Sequence, residues 1–421
     1  MRLKILVSAY ACNPYKGSES GVGWGWVKTI APHHELWVIT AEYNRADIEK
    51  EALKPGESRA NIHFHYVPHK TWHYRPGKVW SAIENSILKP VMNTAYRLWQ
   101  RDCYRVAIEL HKQHAFDLVH QLTYVGFRFP GHLWKLDIPF VWGPIGGLEN
   151  TPWRFFTALG INGCIYYASR NIINSLHKRF LPGPKKAFRK ARGGIISATE
   201  GIRREIYRWY SEDSEVICEI GPPPATASDH SIRNPGEHLK IAWSGQHVSG
   251  KALPLLLRAL AMLPEEVDWK LYILGQGPCT AKWKSLAEKL KIGSRCIWAG
   301  QLIRTEALNR VHQSHLFVIT SLKDLTSTVL LEALSQGVPV VCPDHCGFSD
   351  VVTSACGIKV PLKNPHQLAS GIASAIKRLA GNEEERRFLA EGALERIEAF
   401  SWEKKACKIN GIYSRLTKNR S

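Results

Sequence analysis

Two carboxylates stand eight positions apart near the middle of the second half of the chain. Asp324 lies in the polar stretch Ser321-Leu322-Lys323-Asp324-Leu325-Thr326-Ser327-Thr328, and Glu332 lies in the apolar run that follows. Eight residues is about two helical turns, so Glu332 falls on the helix whose start Asp324 precedes. Carboxylates so placed can accept hydrogen bonds from vicinal hydroxyls, as the acidic residue of a dinucleotide site does for a ribose. Ser327 and Thr328 add hydroxyls and amides at the helix start, where the backbone dipole favours an anion. The plainer reading of the same spacing is an N-capped helix with a solvated Glu332, and spacing alone leaves both open.

These residues need elements to position them. An apolar run over Lys4–Tyr10 predicts a buried strand, followed by the Gly-rich loop Lys16–Gly25, a short helix-compatible run Trp26–Ala31 and a strand Glu35–Thr40. That alternation predicts parallel βαβ units. Further strands are expected over Ile62–Val67, Leu118–His120, Phe140–Trp142 and Gly193–Ala198, the last closing the first half, with a helix starting near Thr199. Residues 223–238 carry turn residues without apolar periodicity and read as a linker. A second set follows: Leu239–Trp243, Trp269–Leu274, Cys296–Trp298, Leu316–Ile319 and Val338–Cys342. The fold class is α/β: two doubly wound Rossmann-like domains, 1–222 and 239–399, facing a central cleft. Ligands in such sheets bind beyond the carboxyl ends of the strands.

The acid pair and its setting resemble the retaining glycosyltransferases of family 4, which have the GT-B fold. Their signature is a Glu, seven residues and a second Glu, then Ala and a Gly-Val-Pro turn. Here it reads Asp324, seven residues, Glu332-Ala333 and Gly337-Val338-Pro339. The resemblance implies that Asp324 contacts donor-sugar hydroxyls and that Glu332 binds the nucleotide ribose. Asp is one methylene shorter than the usual Glu, which re-aims the sugar contact. Lys251, in Ser244-Gly245-Gln246-His247-Val248-Ser249-Gly250-Lys251, matches the lysine that pairs with the donor diphosphate. Gln246 stands where that family has Arg, and a neutral amide does not reproduce a guanidinium fork on a phosphate.

Other segments follow in the family's order. Gly275-Gln276-Gly277-Pro278 resembles its strand-end turn, and Trp298–Leu302 the loop whose backbone reads the base. Gly17-Ser18-Glu19 matches the Gly-rich loop that faces the diphosphate from the first domain. Gly21, Gly23 and Gly25 either extend that cradle or allow close helix packing. His120, ending the strand Asp117–Gln121, matches a histidine near the anomeric centre; its plainer reading is a satisfied structural residue. The helix of about 400–421 resembles the family's last helix, which packs back on the first domain.

The function implied is sugar transfer from a nucleotide sugar to an acceptor hydroxyl with retention. Asp324, Lys251 and His120 would be catalytic, while Glu332, Lys251, Gln246, Gly17, Ser18, Gly275, Leu302, Ser327 and Thr328 would hold the donor. The family needs no metal or further cofactor. A nucleotide-sugar epimerase or a phosphorylase on the same fold competes with this reading, as does a basic nucleic-acid-binding protein, although no helix-turn-helix, zinc-finger or RNA-recognition signature is present. The ten cysteines are scattered and read as reduced thiols of a cytosolic protein. Cys342 and Cys346 flank His345 without a second ligand pair, short of the four ligands of a zinc site.

The net charge is +19. Residues 1–210 hold 30 basic and 15 acidic residues, against 26 and 22 in residues 211–421. Residues 151–192 hold nine Lys or Arg and no acid, with Phe155, Phe156, Ile165, Tyr166 and Tyr167 interleaved. Residues 70–105 add Trp72, Tyr74, Trp80, Trp99 and Tyr104 among Lys70, Arg75, Lys78, Arg97, Arg101 and Arg105. Lysines and arginines near an anionic leaflet contribute about 1 kcal/mol each. The first half is therefore expected to dock on an anionic membrane carrying a glycan or lipid-linked acceptor. With no signal peptide or membrane span expected, that places the protein in the cytoplasm at the inner membrane face. The plainer alternative is a solvated basic face.

Overall fold

Runs such as Ile5-Leu6-Val7 and Ile241-Ala242-Trp243 are apolar without alternation and fully buried, as strands covered on both faces by helices must be. The computed structural model describes residues 2–54, 60–68, 89–124, 126–223 and 232–418. Among these, the first sheet comprises β1 (Lys4–Ser8), β2 (Glu35–Ala41), β3 (Ile62–Val67), β4 (Leu118–Gln121), β5 (Phe140–Ile145), β6 (Ile195–Ser197) and β7 (Glu215–Val216). The second comprises β8 (Leu239–Ser244), β9 (Trp269–Leu274), β10 (Cys296–Gly300), β11 (Leu316–Val318), β12 (Val340–Pro343) and β13 (Gly357–Val360). The orders are β3-β2-β1-β4-β5-β6-β7 and β10-β9-β8-β11-β12-β13, and the paired strands run parallel, with Leu6 opposite both Trp37 and Val119. Strand order reverses between β1 and β4 and between β8 and β11, so each sheet has a switch point where a crevice opens beyond the strand ends.

Several expectations are corrected. β6 does not close the first sheet: the two-residue β7 lies outside it. β13 was not expected at all. Both are too short to show a period in the sequence. The first helix spans Ser18–Ile30, so the stretch read as a Gly-rich loop is mostly helical. Its glycines serve packing: a Cβ on Gly23 would stand 2.0 Å from the Ala11 carbonyl oxygen, and one on Gly25 would stand 2.4 Å from the Trp402 ring. The helix predicted near Thr199 begins where expected, with the Thr199 hydroxyl accepting the Ile202 amide at 3.1 Å.

The two sheets face each other through their carboxyl ends. Leu325, beyond β11, packs on Gly146, beyond β5. Phe155, Phe156 and Tyr167 come from the segment between β5 and β6, yet they join the apolar core of the second sheet. The last helix, Trp402–Lys418, returns to the first sheet, with Trp402 edge-on to Trp26 at 5.9 Å. Residues 224–231 of the expected linker lie outside the described residues, as do Lys70, Trp72, Tyr74, Arg75, Lys78 and Trp80. Trp99 is buried in the first core rather than displayed.

Candidate functional site

Beyond β8 the chain turns tightly through Ser249–Lys251, and the Lys251 carbonyl accepts a hydrogen bond from Thr320 Oγ1 at 2.8 Å. That bond ties the loop after β8 to the loop after β11, across the switch point. It also brings Lys251 Nζ to 2.5 Å from Asp324 Oδ2, with the two side chains 21% and 20% exposed. The other Asp324 oxygen accepts the Leu325 amide at 3.2 Å.

The loop that carries Asp324 is braced from the first domain. Thr326 donates its amide and hydroxyl to the Glu219 carboxylate, at 3.1 and 3.0 Å. Lys323 donates to the Glu149 carbonyl. Glu219 is buried, which raises its pKa. Burial pushes Lys323 down to about 8, with Arg170 adding to the shift. An ammonium that loses hydration without a full counter-charge behaves in this way.

The helix Thr328–Ser335 starts at Ser327, which sits at φ +71°, and no side chain caps it. Thr328 is exposed at its first turn. Glu332 lies one turn further along, on the same face. Its Oε1 is 3.2 Å from both Nε and Nη2 of Arg304. Burial raises the Glu332 carboxyl, and Arg304 opposes that rise.

The loops after β8, β9 and β10 are stitched together by backbone. The Gly245 amide donates to Leu274, the His247 amide to Gln276 and the Gly275 amide to Gly300, at 3.1, 3.1 and 2.7 Å. Gly275 sits at φ +110°, and a Cβ there would stand 2.2 Å from the Gly245 carbonyl oxygen, so only glycine fits. Gln246 is exposed at the tip of its loop, and Leu302 is half-buried just before Arg304.

Asp324, Lys251, Gln246, Gly275, Leu302, Ser327, Thr328 and Glu332 thus all stand at the carboxyl end of the second sheet. Gly17 and Ser18 stand beyond β1 in the first, Gly17 exposed at the start of the helix Ser18–Ile30. His120 does not join them. It is fully buried, donates from Nε2 to the Gly143 carbonyl at 2.8 Å and accepts at Nδ1 from the Tyr413 hydroxyl at 2.7 Å. Burial pushes it down to about 4. With both ring nitrogens engaged inside the protein, it is a structural histidine that anchors the last helix, which corrects the expectation that it faces a sugar.

Four polar residues at the site were not singled out from sequence: Arg304, Glu219, Glu149 and Lys323. Arg304 had a local signal, opening a helix two residues after Leu302. Glu219 had none, since Thr326 is 107 positions away. Among the described residues, no group of three or more His, Cys, Asp or Glu side chains could hold a metal ion. Cys342 and Cys346 are buried thiols, raised by burial. Chemically, the site offers an ammonium and a helix start for an anion, flanked by two carboxylates for hydroxyl groups.

Residues 226–395 match the family described as glycosyl transferases group 1. The sulfoquinovosyl transferase SQD2 of Arabidopsis thaliana is 29% identical over 166 residues, 39% of this chain and 31% of that protein. The O-antigen chain mannosyltransferase B of Escherichia coli is 25% identical over 237 residues, 53% of this chain and 60% of that protein. The chain therefore spans less than two thirds of the length of either relative. Sucrose-phosphate synthase from Thermosynechococcus elongatus superposes with a TM-score of 0.66 at 15% identity, over 99% of this chain and 100% of that one. The architecture is the expected GT-B fold.

Proposed function

We propose, from the premise that residues 226–395 are a glycosyl transferases group 1 domain, that the chain moves a sugar from a nucleotide-sugar donor to an acceptor hydroxyl with retention of anomeric configuration. The observation that carries this reading is the meeting of Lys251, Asp324 and the start of the helix Thr328–Ser335 at the switch point of the second sheet. In the reaction, the bond from the anomeric carbon to the diphosphate oxygen breaks and a bond to the acceptor oxygen forms. The acceptor proton passes to an oxygen of the leaving diphosphate. Negative charge grows on that diphosphate as the sugar becomes oxocarbenium-like. The Lys251 ammonium and the amides at Ser327 and Thr328 are the groups suited to stabilise it. Glu332 would bind the ribose, and Asp324 would exchange its ion pair for sugar hydroxyls once the diphosphate takes Lys251.

The acceptor in this reading is a glycan or lipid-linked glycan of cell-surface polysaccharide synthesis, met by a cytoplasmic enzyme seated peripherally on the membrane. The O-antigen mannosyltransferase among the relatives and the basic first half support it. The donor is found by a thermal-shift screen of nucleotide sugars. With that donor, Glu332→Ala should lose most release of nucleoside diphosphate in the presence of acceptor. Unchanged transfer by this variant sinks the assignment, and product release without acceptor would favour an epimerase or a phosphorylase.

A further inference from the structure

The helix Gly160–Phe180 turns much of its apolar surface outward. Tyr167 joins the second apolar core, but further along the inward positions are polar: Asn171 bonds both the amide and the carbonyl of Thr151, at 3.0 and 2.7 Å. Asn174 donates to the Leu148 carbonyl at 2.8 Å. Lys178 donates to the same carbonyl at 3.1 Å and pairs with Glu205 at 2.5 Å. Most of its outward positions are apolar: Ile161, Ile165, Ile172, Ile173, Leu176 and Phe180 are exposed, Ile161 by 79% and Phe180 by 67%, with Asn162, Ser169 and Arg179 exposed among them. The apolar side chains recur at helical spacing and form one ridge. A helix of a water-soluble domain normally turns such residues inward, and an exposed cluster of large apolar side chains marks a binding surface.

The charge around the ridge indicates what covers it. No acidic residue occurs from 150 to 199. Arg179 is exposed on the helix itself, and Arg154, Lys185, Lys186 and Arg189 are exposed on the segments that flank it in the chain, the last three on the helix Pro182–Lys190. A second copy of the chain would bring this cationic belt against itself, whereas anionic headgroups neutralise it while acyl chains take the isoleucines. Among the described residues, no helix is long and apolar enough to cross a membrane, so the ridge fits a helix lying in the interface plane.

We infer that the helix Gly160–Phe180 is the element that seats this protein in an anionic bilayer. It inserts its isoleucine and phenylalanine ridge between lipids while the flanking lysines and arginines hold the headgroups. The inference rests on the membrane placement proposed above and not on the transfer chemistry.

The test is co-sedimentation of the full chain with vesicles of phosphatidylcholine alone and of phosphatidylcholine with phosphatidylglycerol. Native protein should sediment with the anionic vesicles. The triple variant Ile165→Ser/Ile172→Ser/Phe180→Ser should bind them at least about tenfold more weakly, with an unchanged melting temperature because the three side chains are exposed. Lys185→Glu/Lys186→Glu should weaken binding only to anionic vesicles. Glu332→Ala should bind like the native chain, which separates this inference from the catalytic assignment. Undiminished binding by the triple variant, or no binding by the native chain, overturns the inference. A native dimer that the triple variant abolishes, without vesicle binding, assigns the ridge to a second copy instead.

Discussion

Replacing Lys251 by Met removes the ammonium and keeps most of the stem. The Lys251 backbone stays in place because Thr320 holds its carbonyl. The lost ion pair with Asp324 is partly exposed, and pairs of that kind contribute about 0.2–1 kcal/mol. The melting temperature should therefore fall by no more than about 4 °C. The effect on transfer is far larger. At an effective dielectric near 20, a unit charge about 4 Å from the ammonium is stabilised by roughly 4 kcal/mol. If that interaction strengthens as the diphosphate leaves, the loss in turnover is about 10²- to 10³-fold. The assay is acceptor-dependent release of nucleoside diphosphate, with kcat and KM determined separately. A fall in kcat without a matching loss of fold identifies a group acting on the developing charge. Turnover within a few-fold of native would refute the reasoning, as would a large drop in melting temperature, which would make Lys251 a structural cation.

Two further outcomes follow from the packing. His120 is held at about 4 by burial, against about 6.5 in an unfolded chain. Between these values the unfolded state binds the proton and the native state does not. The stability that this residue contributes is thus complete above about pH 6.5 and is lost as pH falls towards 4, by roughly 3 kcal/mol. Melting temperatures across that window should drop steeply for the native chain and less steeply for His120→Asn, while parallel curves would reject the assignment. Gly275→Ala should destabilise the second domain by roughly 1–3 kcal/mol, because φ +110° and the Gly245 carbonyl both exclude a Cβ. A melting curve like that of the native chain would show that the loops after β8 and β9 can separate freely.

Much of this molecule was legible as one-dimensional text. Parallel strands buried on both faces leave continuous apolar runs, so most of β1–β12 could be read directly, whereas the two-residue β7 and the four-residue β13 carried too little pattern. The acid pair, Lys251 and the glycine turns were legible because each lies at a strand end, in short segments that follow one another along the chain in the order of a known family. The sequence also held the basic excess and its interleaved aromatics, without their arrangement. Only the tertiary structure decided which way each side chain faced. It turned His120 inward to Gly143 and Tyr413, buried Phe155, Phe156 and Tyr167 in the second core, and left the isoleucines of Gly160–Phe180 outside. It also placed Glu219 beneath Thr326 and Glu149 beside Lys323, contacts between residues far apart in the chain. A strand or helix period depends on neighbours a few residues away and is written locally. Orientation and long-range bracing depend on what other elements present, and that is set only when both sheets have packed.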